Sequence, residues 1–124
     1  MFGKLEITTM AQAMAAHAGD RMGLIARNVA NADTPGYRAL DLPGFAQVYA
    51  GGGLDLRATR PGHLTGAGDA AAHAFATTDQ ASANGNSVSI EAEMVKAAGA
   101  RQEHEMALAI YRSTSGIIRA SLGR

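Results

Sequence analysis

The segment from Ser89 to Leu122 places the strongest constraint on the fold of this chain. Apolar residues recur in it at alternating intervals of four and three, and no proline interrupts the pattern. The spacing predicts a heptad seam on one helix, roughly 50 Å long at about 1.5 Å per residue. So long a helix needs a partner helix, from this chain or from another copy. The seam positions are Ile90, Met94, Ala97, Arg101, His104, Leu108, Tyr111, Ser115, Ile118 and Leu122.

A second, thinner stripe runs from about Leu5 to Ala30 and also predicts a helix. Its members recur by threes and fours and are Thr8, Ala11, Ala15, Ala18, Met22, Ile25 and Val29. The stripe is typical of an ordinary amphipathic helix or of a coiled-coil partner for residues 90–122. We favour the coiled-coil partner, because the middle of the chain offers few large apolar residues to pack against.

The residues after this helix predict a sharp turn. Asn31 is a residue type that closes helices in the left-handed conformation. Thr34 precedes proline and is therefore disfavoured in a helix. Pro35-Gly36 fits the centre of a type II turn, in which glycine takes the positive φ at the third position. We expect the chain to resume in an extended conformation at Tyr37.

The middle of the chain is predicted to be mostly irregular, with one short strand. Leu54–Thr59 alternates between apolar and polar residues and predicts that strand. Residues 60–86 are rich in Gly, Ala, Ser, Thr and Asp, which is typical of a loop or a locally disordered segment. Ser89 is a residue type that caps a helix N-terminus. The chain thus forms one domain, 1–124, divided into 1–31, 32–88 and 89–124.

Composition and motifs give no indication of catalysis or ligand binding. Eleven basic residues balance eleven acidic ones, so charge gives no reason to expect nucleic acid. There is no cysteine. His104-Glu105 begins like a zinc-protease motif, but Leu108 stands where the second histidine belongs. We predict no enzyme activity, no catalytic, cofactor-binding or metal site, and no small-molecule substrate.

Two strings of residues carry a resemblance to a known family. Asn28-x-x-Asn31-x-x-Thr34-Pro35-Gly36-Tyr37 resembles the N-terminal motif shared by the axial proteins of the bacterial flagellum. The string from Asn84 to Met94 is similar to the entry to the C-terminal helix in the FlgB family of proximal rod proteins. Thr59 with His63-Leu64 is similar to the central signature of that family. Ser89 is a departure, because the family more often has Asp there.

The resemblance implies a structural subunit of the proximal rod in the flagellar basal body, within the periplasm. It implies a mainly α fold, whose N- and C-terminal helices form an antiparallel coiled coil around a short, irregular and β-containing middle region. It also implies self-assembly with other rod proteins into the torque-transmitting drive shaft required for motility. The expected partners are other copies, the rod protein FlgC, the adaptor FliE, the membrane-ring protein and the flagellar export apparatus. Export would need no cleaved signal, and Met1–Gln12 shows no signal-like apolar run.

The resemblance assigns the apolar members of the seam to assembly: Ile90, Met94, Ala97, Leu108, Tyr111, Ile118 and Leu122. The alternative is a small helical adaptor or regulator that dimerises through residues 90–122. The seam by itself would support this alternative. The two motif strings favour the rod subunit, because a generic coiled coil does not require them.

Overall fold

The computed structural model describes residues 2–50 and 73–123, and its regular structure in these residues is mainly helical. Helix α1 spans Phe2–Ala30 and helix α3 spans Ile90–Ser121. Between them lie strand β1 (Leu40–Asp41), the short helix α2 (Phe45–Ala50) and strand β2 (Phe75–Ala76). The prediction of a mainly α fold with two long terminal helices is confirmed.

Helices α1 and α3 pack along each other. Asn28, near the end of α1, is hydrogen-bonded to Glu93, near the start of α3. Thr8 and Gln12, near the start of α1, line one cleft together with Tyr111 and Ile118 of α3. The contacts therefore pair the C-terminal part of each helix with the N-terminal part of the other.

Small side chains form most of the contact between the two helices. On α1 the buried apolar residues are Ala11, Ala18 and Ile25, which are seven residues apart. On α3 the buried residues keep the same spacing, and we call them the buried line: Glu93, Ala100, Ala107 and Thr114. Because alanine has only a methyl side chain, two helices can approach closely along such lines.

The line of α3 that contacts α1 is not the predicted seam. The buried line precedes the predicted positions Met94, Arg101, Leu108 and Ser115 by one residue each. Met94 and Leu122 are both 66% exposed, and Ile90 and Tyr111 are exposed as well. Ala97, Leu108 and Ile118 are only half-buried. The seven-residue period is present on α3, but the line that faces α1 lies one residue before the seam, since close approach places alanines at the contact and larger side chains beside it. The assignment of the seam to assembly stays a prediction.

The turn after α1 forms as predicted, apart from Asn31. Gly36 has a φ of 74°, and Tyr37 N–H donates to the Thr34 carbonyl at 3.3 Å. Asn31, in contrast, does not adopt a positive φ, so the prediction of a left-handed helix closure was wrong. The Arg27 carbonyl at the end of the helix instead accepts from both the side-chain amide of Asn31, at 2.8 Å, and its backbone N–H, at 3.1 Å.

The start of α3 is capped as predicted. Ser89 has extended backbone angles, and its hydroxyl accepts a hydrogen bond from Ala92 N–H at 3.4 Å. This contact satisfies one of the free N–H groups in the first helical turn.

The middle region holds one antiparallel strand pair, in which Leu40 pairs with Ala76 and Asp41 with Phe75. Helix α2 was not predicted, because the middle of the chain was expected to be mostly irregular. The predicted strand Leu54–Thr59 lies outside the described residues, as do His63-Leu64 and the first part of the predicted loop, 60–72. The described β1–β2 pair holds the end of the loop against the segment that follows α1.

Because the core is composed mainly of alanine, Ile25 should contribute an unusually large share of the stability. We expect Ile25→Ala to lower the free energy of unfolding by about 3 kcal/mol, through lost burial and the cavity left behind. Chemical denaturation followed by circular dichroism measures this change. The matched control is Ile117→Ala on α3, where the side chain is 54% exposed and the change should stay within about 0.5 kcal/mol. Equal effects of the two substitutions would contradict the assigned core.

Candidate functional site

The most distinctive feature of the structure is a buried cluster of polar side chains, which we call the polar junction. It comprises Arg21, Asn28, Tyr37, Asp41, Asn86, Ser87, Glu93 and Lys96. It lies where the end of α1, the turn at 31–37, strand β1, the segment 82–89 and the start of α3 meet. The two motif strings of the sequence therefore contact each other directly.

Asn28 is the centre of the junction, and its carboxamide uses its full hydrogen-bonding capacity. The amide nitrogen donates to the Leu40 carbonyl at 2.7 Å and to Oε2 of Glu93 at 3.1 Å. The amide oxygen accepts from the Tyr37 hydroxyl and from Leu40 N–H, both at 3.1 Å. Asn28 is 0% exposed. One side chain thus joins α1, the turn, β1 and α3.

Asn86 connects the turn at 31–37 to the segment before α3, as Asn28 connects the helices. Its amide nitrogen lies 2.8 Å from each of the carbonyl oxygens of Asn31, Ala32 and Thr34. Its side-chain oxygen accepts from Val88 N–H at 2.8 Å. Carbonyls freed by the end of a helix need such partners when they are covered. Asn86 therefore supplies to the end of α1 what the local sequence does not.

The backbones of the two strings also bond to each other. Gly36 N–H donates to the Asn84 carbonyl at 3.0 Å, and Ser87 N–H donates to the Tyr37 carbonyl at 3.0 Å. The Ser87 hydroxyl accepts from Ala39 N–H at 2.8 Å. These contacts join the segment before β1 to the segment before α3.

The turn at 31–37 and a second turn at 82–85 meet at their glycines. Gly36 and Gly85 have φ values of 74° and 82°, which favour glycine. A Cβ atom built on Gly85 would lie 3.3 Å from the Cα atom of Gly36. The close approach of the two turns therefore explains why both Gly36 and Gly85 are glycine.

Charged side chains of alternating sign extend the junction along one side. Arg21 contacts Asp41 through two bonds, at 3.0 and 3.3 Å. Lys96 lies 3.2 Å from Oε1 of Glu93 and 3.9 Å from Oδ2 of Asp41. Arg21 also reaches Glu103 of α3 at 3.9 Å. Each buried or half-buried charge in this network has a partner of opposite sign, as low polarity requires.

The pKa of Asp41 reflects this environment. Burial opposes ionisation of the Asp41 carboxyl group. The hydrogen bonds from Arg21 and from Leu42 N–H, with the positive charges of Arg21 and Lys96, outweigh burial and hold its pKa below the usual value. Asp41 is therefore ionised near neutral pH and binds β1 to both helices.

The six motif residues named from the sequence all belong to the junction or to the turn beside it. Asn28 and Tyr37 are hydrogen-bonded to each other, and Thr34 donates to the side-chain oxygen of Asn31. Pro35 and Gly36 form the exposed tip of the turn. The assembly residues of the seam, in contrast, lie on α3 outside the buried line.

Sequence reasoning missed the roles of several junction residues. Asn86 and Ser87 were recognised only as part of a string, and Arg21, Asp41 and Glu93 were given no contact at all. Glu93 has one usable signal: it lies seven residues before Ala100, in line with the buried alanines. Arg21 and Asp41 are twenty residues apart on different elements, and no periodicity connects them.

A histidine outside the junction fastens helix α2. Nε2 of His17 donates to the Pro43 carbonyl at 2.8 Å. The His17 ring also lies against Phe45, with ring centroids 5.7 Å apart. His17 therefore holds the start of α2 on α1.

The arrangement suits mechanical fixation, since the junction side chains bond to one another and to backbone. Across 2–50 and 73–123, no group of three His, Cys, Asp or Glu side chains is placed to hold a metal ion. Within these same ranges no helix is long and apolar enough to cross a membrane. The chain matches no protein-family model, and a comparison with curated proteins found no match.

Asn28→Asp should disrupt the junction at neutral pH. It replaces a donor to Glu93 with a second carboxylate, so two buried negative charges would face each other. We expect the free energy of unfolding at pH 7 to fall by about 3 kcal/mol or more. Chemical denaturation measures the loss. The matched control is Asn84→Asp, an exposed asparagine of the second string, and a comparable loss in that variant would contradict the central role of Asn28.

Asp41 should make the junction sensitive to acid. Because its folded-state pKa is lowered, its stabilisation is present above the unfolded value of about 3.8 and is lost as pH falls through the lower folded value. Below about pH 4 the wild-type chain should therefore lose stability more steeply than Asp41→Asn. Unfolding measured from pH 7 to pH 2 tests this. Asp79→Asn, at an exposed position, serves as the control and should retain the steep acid dependence.

Proposed function

We propose that this chain is a structural subunit of the proximal rod in the bacterial flagellar basal body, of the FlgB type. The observation that carries the proposal is the polar junction. The strings that resemble the family's two motifs are separated in sequence by residues 38–83, yet they bond to each other through Asn86 and the carbonyls after α1. The residues of the two strings therefore act together to fix the end of α1 against the segment before α3. A generic helical adaptor does not need this contact.

The proposal includes a specific packing of the two long helices, in which α1 and α3 form an antiparallel coiled coil. Two observations support it. The buried residues recur at intervals of seven on both helices, and seven is the period of a coiled coil. The contacts also pair the end of α1 with the start of α3.

A rod that transmits torque needs stiff subunits with a fixed angle between their parts. Long helices packed lengthwise through alanines resist bending and twisting, because small side chains leave little room for relative movement. The junction fixes one end of the helix pair through several buried hydrogen bonds. These features suit a subunit that passes a mechanical load to its neighbours.

The outer surface of α3 supports the assembly part of the proposal. Large apolar side chains remain exposed along its whole length, including Ile90, Met94, Val95, Ile117 and Leu122. Several large exposed apolar side chains on one helix are typical of an interaction site. In the rod, these residues would contact other copies, FlgC, FliE or the membrane ring, after export through the flagellar channel into the periplasm. Head-to-tail contacts between such subunits produce an open helical assembly.

Gene replacement in the source bacterium tests the proposal. We expect deletion to abolish motility, and a tagged wild-type copy to restore motility and appear in purified basal bodies. Leu108→Asp should abolish both, because it places a charge among the assembly residues. The matched control is Ala109→Asp, at the neighbouring exposed position, which should leave swimming and incorporation intact.

The same experiment separates the rod subunit from the adaptor alternative. Full motility after deletion, or a tagged protein that is absent from basal bodies and found only in a cytoplasmic complex, would refute the proposal. Normal swimming of the Leu108→Asp variant would show that Leu108 is not part of the assembly surface.

A further inference from the structure

Helix α3 carries two lines of heptad spacing, of which α1 covers only one. The buried line faces α1. The seam runs beside it along the helix from Ile90 to Leu122, and its members are exposed or half-buried. Met94 and Leu122, at opposite ends, are among the most exposed apolar residues of the described chain. A heptad-spaced stripe in which seven of ten members are apolar or aromatic is the pattern that a second helix would cover.

We propose that the seam of the soluble chain is covered by the seam of a second copy, in an antiparallel, two-fold symmetric dimer. This inference concerns the soluble chain and does not depend on the proposed function. The intervals along the seam read four, three, four, three and so on identically from both ends. Turning a second α3 end for end therefore places a seam residue opposite a seam residue in every layer. Such self-complementarity is what an isologous interface requires.

The layers that follow from this register pair residues of compatible character. The outermost layer joins Ile90 of one copy to Leu122 of the other, and the next joins Met94 to Ile118. Toward the centre, Ala97 lies opposite Ser115, Arg101 opposite Tyr111, and His104 opposite Leu108. Large apolar residues thus meet at the two ends of the interface, and the polar members of the seam gather nearer the symmetry axis.

Charge selects the antiparallel direction over the parallel one. Among the exposed charged side chains of α3, the first half carries Glu91, Glu105 and Arg101, whereas the second half carries only Arg112 and Arg119. Parallel pairing would bring like-charged halves together, but antiparallel pairing brings each half against its opposite. In the antiparallel register, Glu91 beside the seam lies near Arg119 of the second copy.

The polar residues near the centre are also compatible with this contact. Arg101 bridges Glu105 of its own chain at 3.2 Å, so the acid nearest the symmetry axis is already neutralised. The guanidinium of Arg101 then lies over the Tyr111 ring of the second copy, and such contacts favour association modestly.

An open cleft of about 300 Å³ lies at the C-terminal end of the seam. It is lined by Thr8, Gln12, Tyr111, Ser115, Ile118 and Arg119. Because Met94 of the second copy lies opposite Ile118, its side chain is placed to enter this cleft. A flexible thioether is suited to an irregular cleft, where it would contact the apolar side of Ile118 and the Tyr111 ring. The contact thus extends from α3 onto the first turns of α1.

The dimer has a consequence for a chain that assembles into a rod. All copies in a polar rod point in one direction, whereas the two copies in this dimer point in opposite directions. The dimer therefore covers the assembly residues of the seam in solution and must separate before they contact rod neighbours.

Single cysteines test the direction of the contact, because the full chain has no cysteine of its own. Ile90→Cys is mixed with a tagged Leu122→Cys under mild oxidation. We expect a mixed cross-linked dimer, and only background cross-linking in either variant alone. Val95→Cys, at a position 74% exposed but outside the seam, defines that background. Equally strong self-cross-linking of Ile90→Cys would indicate a parallel contact and would overturn the proposal.

Charge exchange tests the register. Glu91→Arg and Arg119→Glu, made singly, should each raise the dimer dissociation constant about fivefold, since each disrupts two symmetry-related ion pairs. The double variant should recover wild-type affinity in analytical ultracentrifugation. Failure of the double variant to recover would overturn the register. The dimer would be overturned if the wild-type chain stays monomeric up to about 100 µM. It would also be overturned if the seam cysteines cross-link only to another protein. The rod proposal is judged separately, by incorporation of the chain into basal bodies.

Discussion

The buried carboxamide of Asn28 is the contact on which the rest of the structure depends. It bonds to four groups on three other segments, and a buried amide left without partners costs about 1–3 kcal/mol for each unsatisfied group. The end of α1, the turn, β1 and the start of α3 must therefore all be in place before the side chain is satisfied. Segments 65 residues apart are coupled in this way. The junction consequently forms as one unit or not at all.

The alanines between α1 and α3 provide the second constraint, and they determine which surface remains outside. A junction that bonds Asn28 to Glu93 sets the register of the two helices. In that register Ala18, Ala100 and Ala107 are buried. Because the contact is narrow, the larger apolar residues of α3 lie on its flank. Hydrogen bonds in the polar junction and small side chains between the helices thus stabilise the fold of the chain. The large apolar side chains of α3 remain accessible for contacts with other molecules.

This division suits a subunit whose stability and interactions come from different residues. The junction and the alanines hold one conformation, whereas the seam is available to neighbours. We propose two uses of that surface, contacts between rod subunits after export and an antiparallel dimer in solution. The two arrangements exclude each other, because they need opposite relative directions of the same helix.

Local rules in the sequence determined the two long helices, the Ser89 cap and the Pro35-Gly36 turn, because each depends on neighbours within about one or two helical turns. The seven-residue period of α3 was likewise readable from spacing. Only the tertiary structure decided which line of α3 faces α1, since period alone does not distinguish a covered stripe from an exposed one. Only the tertiary structure joined Asn28 to Glu93 and Asn86 to the carbonyls after α1. Those bonds link residues more than fifty positions apart, and a buried polar group finds its partners through the fold of the whole chain.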